Sequence, residues 1–214
     1  MRVTATPPLV LASASPRRRE LLVGLGLAFE IDVPDVDETP LVDEAPEAMV
    51  VRLARAKAAA VTDRRASVTT ATADAPARAP AGAPAGATLV IAADTTVVLD
   101  GEVLGKPRDV GEAARFLGRL AGRTHLVHTG HALRWGEREA TALRTTAVRF
   151  RSLTAGEIAD YAATGEGLDK AGGYAIQGLG ATLIDGIEGC YGAVVGLSLP
   201  ALVLAARELG VRLV

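Results

Sequence analysis

Three arginines stand where a helix should begin. In "LASASPRRRELL", Leu11 to Leu22, an apolar run ends in a turn, Ser15 is a good N-cap and Pro16 suits the first helical position. Leu21, Leu22 and Leu25 then recur at helical spacing. A helix N-terminus already carries partial positive charge, so Arg17, Arg18 and Arg19 repel the dipole and one another. An anion reverses that balance, because free backbone N–H groups and guanidinium forks together make a polyphosphate site. A solvated basic face is the other reading of such a run.

Further residues carry possible chemistry. Asp94 lies inside "VIAADTTVVL" with apolar neighbours on both sides. An unpaired carboxylate in a dry strand costs several kcal/mol, on the order of a charge's desolvation, so the residue points to function rather than to a strand-end cap. Near a phosphate it could ligate Mg²⁺ or act as general base toward water. Lys57 falls within the helical stripe of Val50, Leu53, Ala54 and Val61, either snorkelling along the core or reaching an anion. Lys106, in "LGKP", precedes a proline and sits on extended backbone, as a loop lysine or a phosphate ligand. Asp37 and Glu38 in "VDETP" are solvated acids or ligands for a divalent cation beside a triphosphate. In "LDKAGGYAIQG", Asp169 and Lys170 are charged, the paired glycines allow close backbone approach, and Gln177 offers donor and acceptor to a nucleobase edge. His125, His128 and His131 look like a metal triad, yet residues three apart on a strand face opposite sides. Cys190 has no evident histidine partner and reads as structural.

These residues need a scaffold, and the composition permits one. The chain has 214 residues, 49% hydrophobic and 22% charged, with a formal net charge of −2. That fits a globular protein and disfavours a general nucleic-acid binder. A single cysteine, no signal-peptide pattern and no long uncharged apolar stretch predict a soluble cytoplasmic protein without membrane contact. The pattern predicts strands at Pro7 to Ser13, Leu89 to Leu99, in "THLVHTGHALRWG" and "EATALRTTAVRFRSL", and around Ala181 to Ile184. A further strand in "AFEIDVPDVDETP" runs into an acidic loop, and Asp100-Gly101 signals a hairpin. Helices are expected after Ser15, from Pro46, after the capping pairs Asp109/Glu112 and Thr154/Glu157, and from Pro200 to Leu209. Asp63 to Ala87, rich in Ala, Pro, Thr, Arg and Gly, reads as a flexible insertion at 63–87 within one domain spanning 1–214. Hairpin-linked strands mixed with helices predict an α/β fold around a mixed sheet.

In order along nearly the whole chain, "LASASPRRRELL", "VRLARAKA", "AADTTVVLDGEVLGKP", "LDKAGGYAIQG" and "GAVVGLSLP" closely resemble the Maf family of nucleotide pyrophosphatases. The resemblance implies a long mixed β-sheet flanked by helices, two lobes around a cleft, and a possible homodimer. It implies hydrolysis of a nucleoside triphosphate to monophosphate and pyrophosphate with a divalent cation, Mg²⁺ or Mn²⁺. The family's catalytic acid falls on Asp94; Glu38 and Asp94 are the candidate ligands for the divalent cation. Its phosphate-facing residues fall on Ser13, Arg17, Arg18, Lys57 and Lys106; Asp169 and Lys170 are further candidates for the cleft. Arg17, Thr95 and Gln177 match the branch acting on dTTP and UTP, whereas the 7-methyl-GTP branch carries "DQ" and a glutamate at the last two points. Two departures stand out: the long 63–87 segment, and Cys190 and Ala193 where serine and asparagine or histidine are more usual. Two rival classes remain, a catalytically silent nucleotide-binding regulator of cell division and a basic-patch RNA binder. Asp94 and Glu38 argue against RNA, because without a metal they repel phosphate.

Overall fold

A computed structural model describes residues 7–69 and 87–214. Seven strands form one mixed sheet: β1 (Leu9–Leu11), β2 (Glu30–Ile31), β3 (Leu89–Leu99), β4 (Glu102–Leu104), β5 (Thr124–Trp135), β6 (Arg138–Phe150) and β7 (Ile184–Glu188). The order is β2-β1-β3-β5-β6-β7, with β4 pairing β3. The pairs β1–β2 and β1–β3 are parallel, and β3–β4 and β6–β7 are antiparallel. The helices are α1 (Pro16–Val23), α2 (Pro46–Thr69), α3 (Val110–Leu120), α4 (Ala155–Ala163), α5 (Tyr191–Val195) and α6 (Leu199–Glu208). The α/β class and the mixed sheet with flanking helices follow the sequence expectation.

The chain divides into two compact units. The first holds residues 1–94, 130–143 and 197–214; the second holds 95–129 and 144–196. In the first, β1 and the Leu89–Ala93 part of β3 are buried on both faces, which is why they read as unbroken apolar runs. Leu9, Leu11, Leu89, Ile91 and Ala93 pack with Leu22 of α1 and Leu202, Ala205 and Ala206 of α6. The alternate residues Val10, Ala12, Val90 and Ala92 pack under Ala54, Ala58 and Val61 of α2. Gly130 on β5 lets α2 come this close. A Cβ there would stand 2.4 Å from the Val50 carbonyl oxygen, a backbone atom that cannot swing away.

In the second unit, His125, Phe150 and Tyr174 stack edge to face, with ring centroids 4.8–5.4 Å apart. His125 Nε2 lies 2.7 Å from the Tyr174 hydroxyl, while its buried Nδ1 has no hydrogen-bond partner among the described residues. Burial pushes the His125 imidazole down to about 4. At α4, Thr154 and Glu157 form the full expected capping box. At α3, Asp109 caps Glu112, but the Glu112 carboxylate reaches past the cap to the Arg108 backbone N–H, at 2.8 Å, and guanidinium.

Four boundaries differ from the sequence reading. The change of composition at Asp63 does not end α2, which continues to Thr69 with Arg64 paired to Asp32 and Arg65 to Glu30. The rest of the segment expected to be an insertion, 70–86, lies outside the described residues. The strand expected around Ala181 to Ile184 begins at Ile184, because Gly178–Leu183 coils into a 3₁₀ turn. Gly178 there has φ +62, and a Cβ on Gly180 would meet the Ala175 carbonyl oxygen at 2.1 Å, a packing no regular strand provides. The short helix α5 was not expected, and β2 is only two residues long.

Two stability predictions follow from this packing. Gly130→Ala should cost about 2–3 kcal/mol by overpacking α2 against β5, read as a lower urea midpoint; an unchanged midpoint would show that the two backbones have room to separate. For His125, the unfolded chain binds a proton at about pH 6.5 that the folded protein refuses down to about pH 4. Stability therefore falls as pH drops through that window, by about 2 kcal/mol between pH 7 and pH 5. Urea denaturation at both values should show the loss in the parent and not in His125→Asn; equal losses would move the effect to another group.

Candidate functional site

Strand and helix periods explain how the first unit brings its charged residues together. Along β3, side chains alternate between faces, so Asp94 follows Val90 and Ala92 onto the face covered by α2. Along α2, Lys57 sits in the stripe that packs on that face and is 7% exposed. The two meet: Lys57 Nζ lies 2.6 Å from Asp94 Oδ1 and 2.6 Å from Glu38 Oε1. Asp94 is 9% exposed as a residue, whereas the Glu38 side chain is half-exposed. One ammonium thus pairs with two carboxylates.

The parallel register Leu11↔Ile91 carries the turn after β1 to the same end of β3. Ser13 is buried there, and its Oγ accepts from the Ser15 backbone N–H at 3.2 Å. Arg18 Nη1 donates to the Ala93 carbonyl at 2.6 Å and to Ser13 Oγ at 3.3 Å. Ser15 caps α1 through a long contact, 3.5 Å, to the Arg18 N–H. Burial lowers the Arg18 guanidinium from its ordinary value; Asp94 and Glu38 oppose that shift and Arg17 adds to it. The three arginines are therefore not equivalent. Arg18 ties α1 to the strand residue preceding Asp94, Arg17 is half-buried beside it, and Arg19 is exposed.

The acidic loop resolves the Asp37–Glu38 pair. Asp37 Oδ1 accepts from the Thr39 N–H at 2.9 Å, a turn contact, so only Glu38 joins Asp94 at Lys57. Glu44 anchors the loop to α2 through two contacts to Arg52, at 2.5 and 2.7 Å. Sequence reading missed that anchor, although its eight-residue spacing across a helix start was the available signal.

The second unit holds the other candidates. Thr95 Oγ1 lies 3.1 Å from Thr129 Oγ1, and Thr129 donates to the Ala193 carbonyl at 2.7 Å. Thr129 spends its one proton there, so Thr95 is the donor to Thr129. Nothing in "VHTGH" marked Thr129 in advance. Lys106 is exposed on the loop after β4, without an ion pair among the described residues. The neighbouring Gly105 carbonyl accepts from the Gly172 N–H at 3.0 Å, which joins this loop to the glycine-rich segment. Lys170 is engaged, donating to the Glu166 carbonyl at 2.6 Å and pairing with Asp169. Gln177 is half-buried just before the 3₁₀ turn, with no capping hydrogen bond from its side chain.

The histidines separate, as their strand spacing predicts. His128 Nδ1 lies 2.9 Å from Thr145 Oγ1. His131 Nε2 accepts from the Ser198 N–H at 2.8 Å, so its proton sits on Nδ1, facing the Ala142 carbonyl. Among the described residues no group of three or more His, Cys, Asp or Glu is placed to hold a metal. Asp94 and Glu38 are hard oxygen donors of the kind Mg²⁺ and Mn²⁺ take together with waters and substrate phosphates. No described helix is long and apolar enough to cross a membrane.

The fold and the charged cluster define an α/β protein that sets a buried carboxylate beside an arginine-bearing helix start. The family model described as Maf-like protein matches residues 8–209. A dTTP/UTP pyrophosphatase of Myxococcus xanthus is 49% identical over 205 residues, 96% of this chain and 94% of its own length. The dTTP/UTP pyrophosphatase of Moorella thermoacetica is 50% identical over 193 residues, 89% of each chain. That of Thermus thermophilus is 46% identical over 191 residues, again 89% of each. This chain belongs to the Maf family.

The lysine bridge generates a stability prediction. Lys57→Met leaves two carboxylates facing each other with one of them buried, and should cost about 3 kcal/mol, as when one partner of a buried pair is removed. Adding Asp94→Asn should restore much of that loss in urea denaturation. Strictly additive losses would mean that the two side chains are not coupled.

Proposed function

We propose that this protein hydrolyses nucleoside triphosphates, with dTTP and UTP the preferred substrates, to the monophosphate and pyrophosphate. The observation that carries the reading is Asp94, a carboxylate in a buried strand held at 2.6 Å by Lys57. The names of the relatives support the choice of substrate. In the proposed reaction a water oxygen attacks the α-phosphorus. The bond from that phosphorus to the bridging oxygen breaks, and its electron pair leaves with pyrophosphate. Asp94 orients the water and takes its proton, which then passes to solvent. Asp94 and Glu38 would hold the divalent cation, Mg²⁺ or Mn²⁺, which when bound withdraws charge from the phosphate oxygens and the leaving group.

Ser13, Arg17 and Arg18 receive the polyphosphate, with Arg18 held in place by its Nη1 contacts to the Ala93 carbonyl and Ser13. Lys57, relieved of its carboxylates, turns to the phosphates. Lys106 adds a further cation, Asp169 and Lys170 support the loop before the glycines, and Thr95 and Gln177 read the base. The setting we propose is a cytoplasmic homodimer.

Two variants test the assignment. Asp94→Asn should lower pyrophosphate release from dTTP about 1,000-fold, within the range for loss of a general base. Calorimetric binding of dTTP should persist or tighten, since Lys57 loses one of its two ionic partners; turnover near the parent rate would defeat the mechanism. Gln177→Glu replaces a donor–acceptor amide by an acceptor-only carboxylate. It should lower kcat/KM for dTTP and UTP about tenfold or more, the size of a lost polar contact. Unchanged pyrimidine preference would remove Gln177 from base recognition.

A further inference from the structure

Gln177 stands in a glycine-rich stretch, with Ile176 before it and Gly178 after it. Such backbone has little intrinsic reason to hold one conformation. A side chain that discriminates between bases must nevertheless be presented in one position, so the stretch needs an external fixture. The structure supplies it from α4 and the turn that follows.

Glu166 does most of the fixing. Its Oε1 accepts from the Leu179 N–H at 3.0 Å, and its Oε2 accepts from the Gly180 N–H at 2.9 Å and from the Tyr161 hydroxyl at 2.8 Å. The Tyr161 oxygen in turn accepts from the Ala175 N–H at 3.0 Å. One carboxylate–phenol pair therefore grips the backbone on both sides of Gln177, at Ala175 before it and at Leu179 and Gly180 after it. The neighbouring glycines are shaped to this grip. A Cβ on Gly178 would lie 2.1 Å from Glu166 Oε1, and one on Gly180 would lie 2.8 Å from the Tyr161 hydroxyl. Gly167, next to Glu166, leaves room for the Gly173 carbonyl, which a Cβ would meet at 2.0 Å. Burial works to raise the Glu166 carboxyl, but the hydrogen bonds from Tyr161, Gly180 and Leu179 outweigh it and hold the group below its ordinary value.

We propose that Glu166, with Tyr161, is a positioning residue for base discrimination: it fixes the Ala175–Gly180 backbone so that the Gln177 amide meets the pyrimidine in one orientation. The proposal rests on the reading that Gln177 recognises the base. Glu166 touches no reacting group and acts only through that backbone.

The test is a double-mutant cycle on selectivity, the ratio of kcat/KM for dTTP to that for dGTP. Glu166→Gln keeps the size but turns one acceptor into a donor facing an N–H or hydroxyl group. It should lower selectivity about tenfold, the equivalent of roughly one charge-assisted hydrogen bond. The loss should appear as a higher KM for dTTP with kcat nearly unchanged. The inhibition constant of inorganic tripolyphosphate, which has no base, should not move. In a Gln177→Ala background, the same Glu166→Gln change should have little further effect on selectivity. Tyr161→Phe should act in the same direction but more weakly, and it carries the cycle if Glu166→Gln fails to fold. If Gln177→Ala alone leaves selectivity intact, the base-reading role of Gln177 is wrong and the proposal falls with it. If Gln177→Ala lowers selectivity while the Glu166 and Tyr161 variants do not, or lower it equally in both backgrounds, the positioning role alone is overturned. A weaker inhibition by tripolyphosphate would show that Glu166 supports the phosphate machinery instead.

Discussion

The contact between Lys57 and Asp94 is the constraint on which the first unit is organised. A carboxylate inside a strand covered on both faces is tolerable only with a partner of opposite charge. The partner must come from the helix lying on that face, and α2 delivers it because Lys57 shares the stripe of Ala54, Ala58 and Val61. For α2 to deliver it, the helix must sit close to the sheet, which is why Gly130 faces the Val50 backbone. Glu38 then completes the group from a loop that Glu44 and Arg52 anchor to the same helix. Stability and the proposed chemistry thus meet in one arrangement: the charge that the proposed mechanism uses at Asp94 is the charge that Lys57 neutralises here.

The arginine helix answers to the same group from the opposite side of the strand register. Arg18 is fastened to the Ala93 carbonyl, one residue before Asp94, and to Ser13. The like-charged start of α1 is therefore a structural tie through Arg18, and in the proposed function its cations also receive the polyphosphate. A polyanion would relieve the repulsion among these arginines and release Lys57 from its carboxylates at the same time, so binding and rearrangement of the charge cluster are a single event in this account.

Much of this was legible in the sequence, for identifiable reasons. Asp94 stood out because a charge interrupted an apolar run, and Lys57 because a charge occupied an apolar stripe; both are period arguments that need no tertiary knowledge. By the same arithmetic the three histidines are not expected to converge, and in the structure each has its own partner. What could not be read depended on chain reversals. Asp37 and Glu38 are equivalent on paper, and only the loop's path sends one to Thr39 and the other to Lys57. Thr129, Tyr161 and Glu166 lie far in sequence from the residues they hold, in stretches with ordinary composition. The strand placed too early at Ala181 was displaced by backbone-to-backbone packing at Gly180, a contact that local propensity does not encode. The end of α2 was misplaced because composition changed before the helix did, with Arg64 and Arg65 still tied to Asp32 and Glu30.

The central claim is attack by water on the α-phosphorus of a nucleoside triphosphate, with pyrophosphate as the leaving group. Isotope position reads it directly. A single turnover of dTTP by the purified protein with Mg²⁺ in ¹⁸O-water, followed by mass spectrometry of the products, should place one heavy oxygen in dTMP and none in pyrophosphate. Label in pyrophosphate, or release of inorganic phosphate with dTDP, would contradict the account.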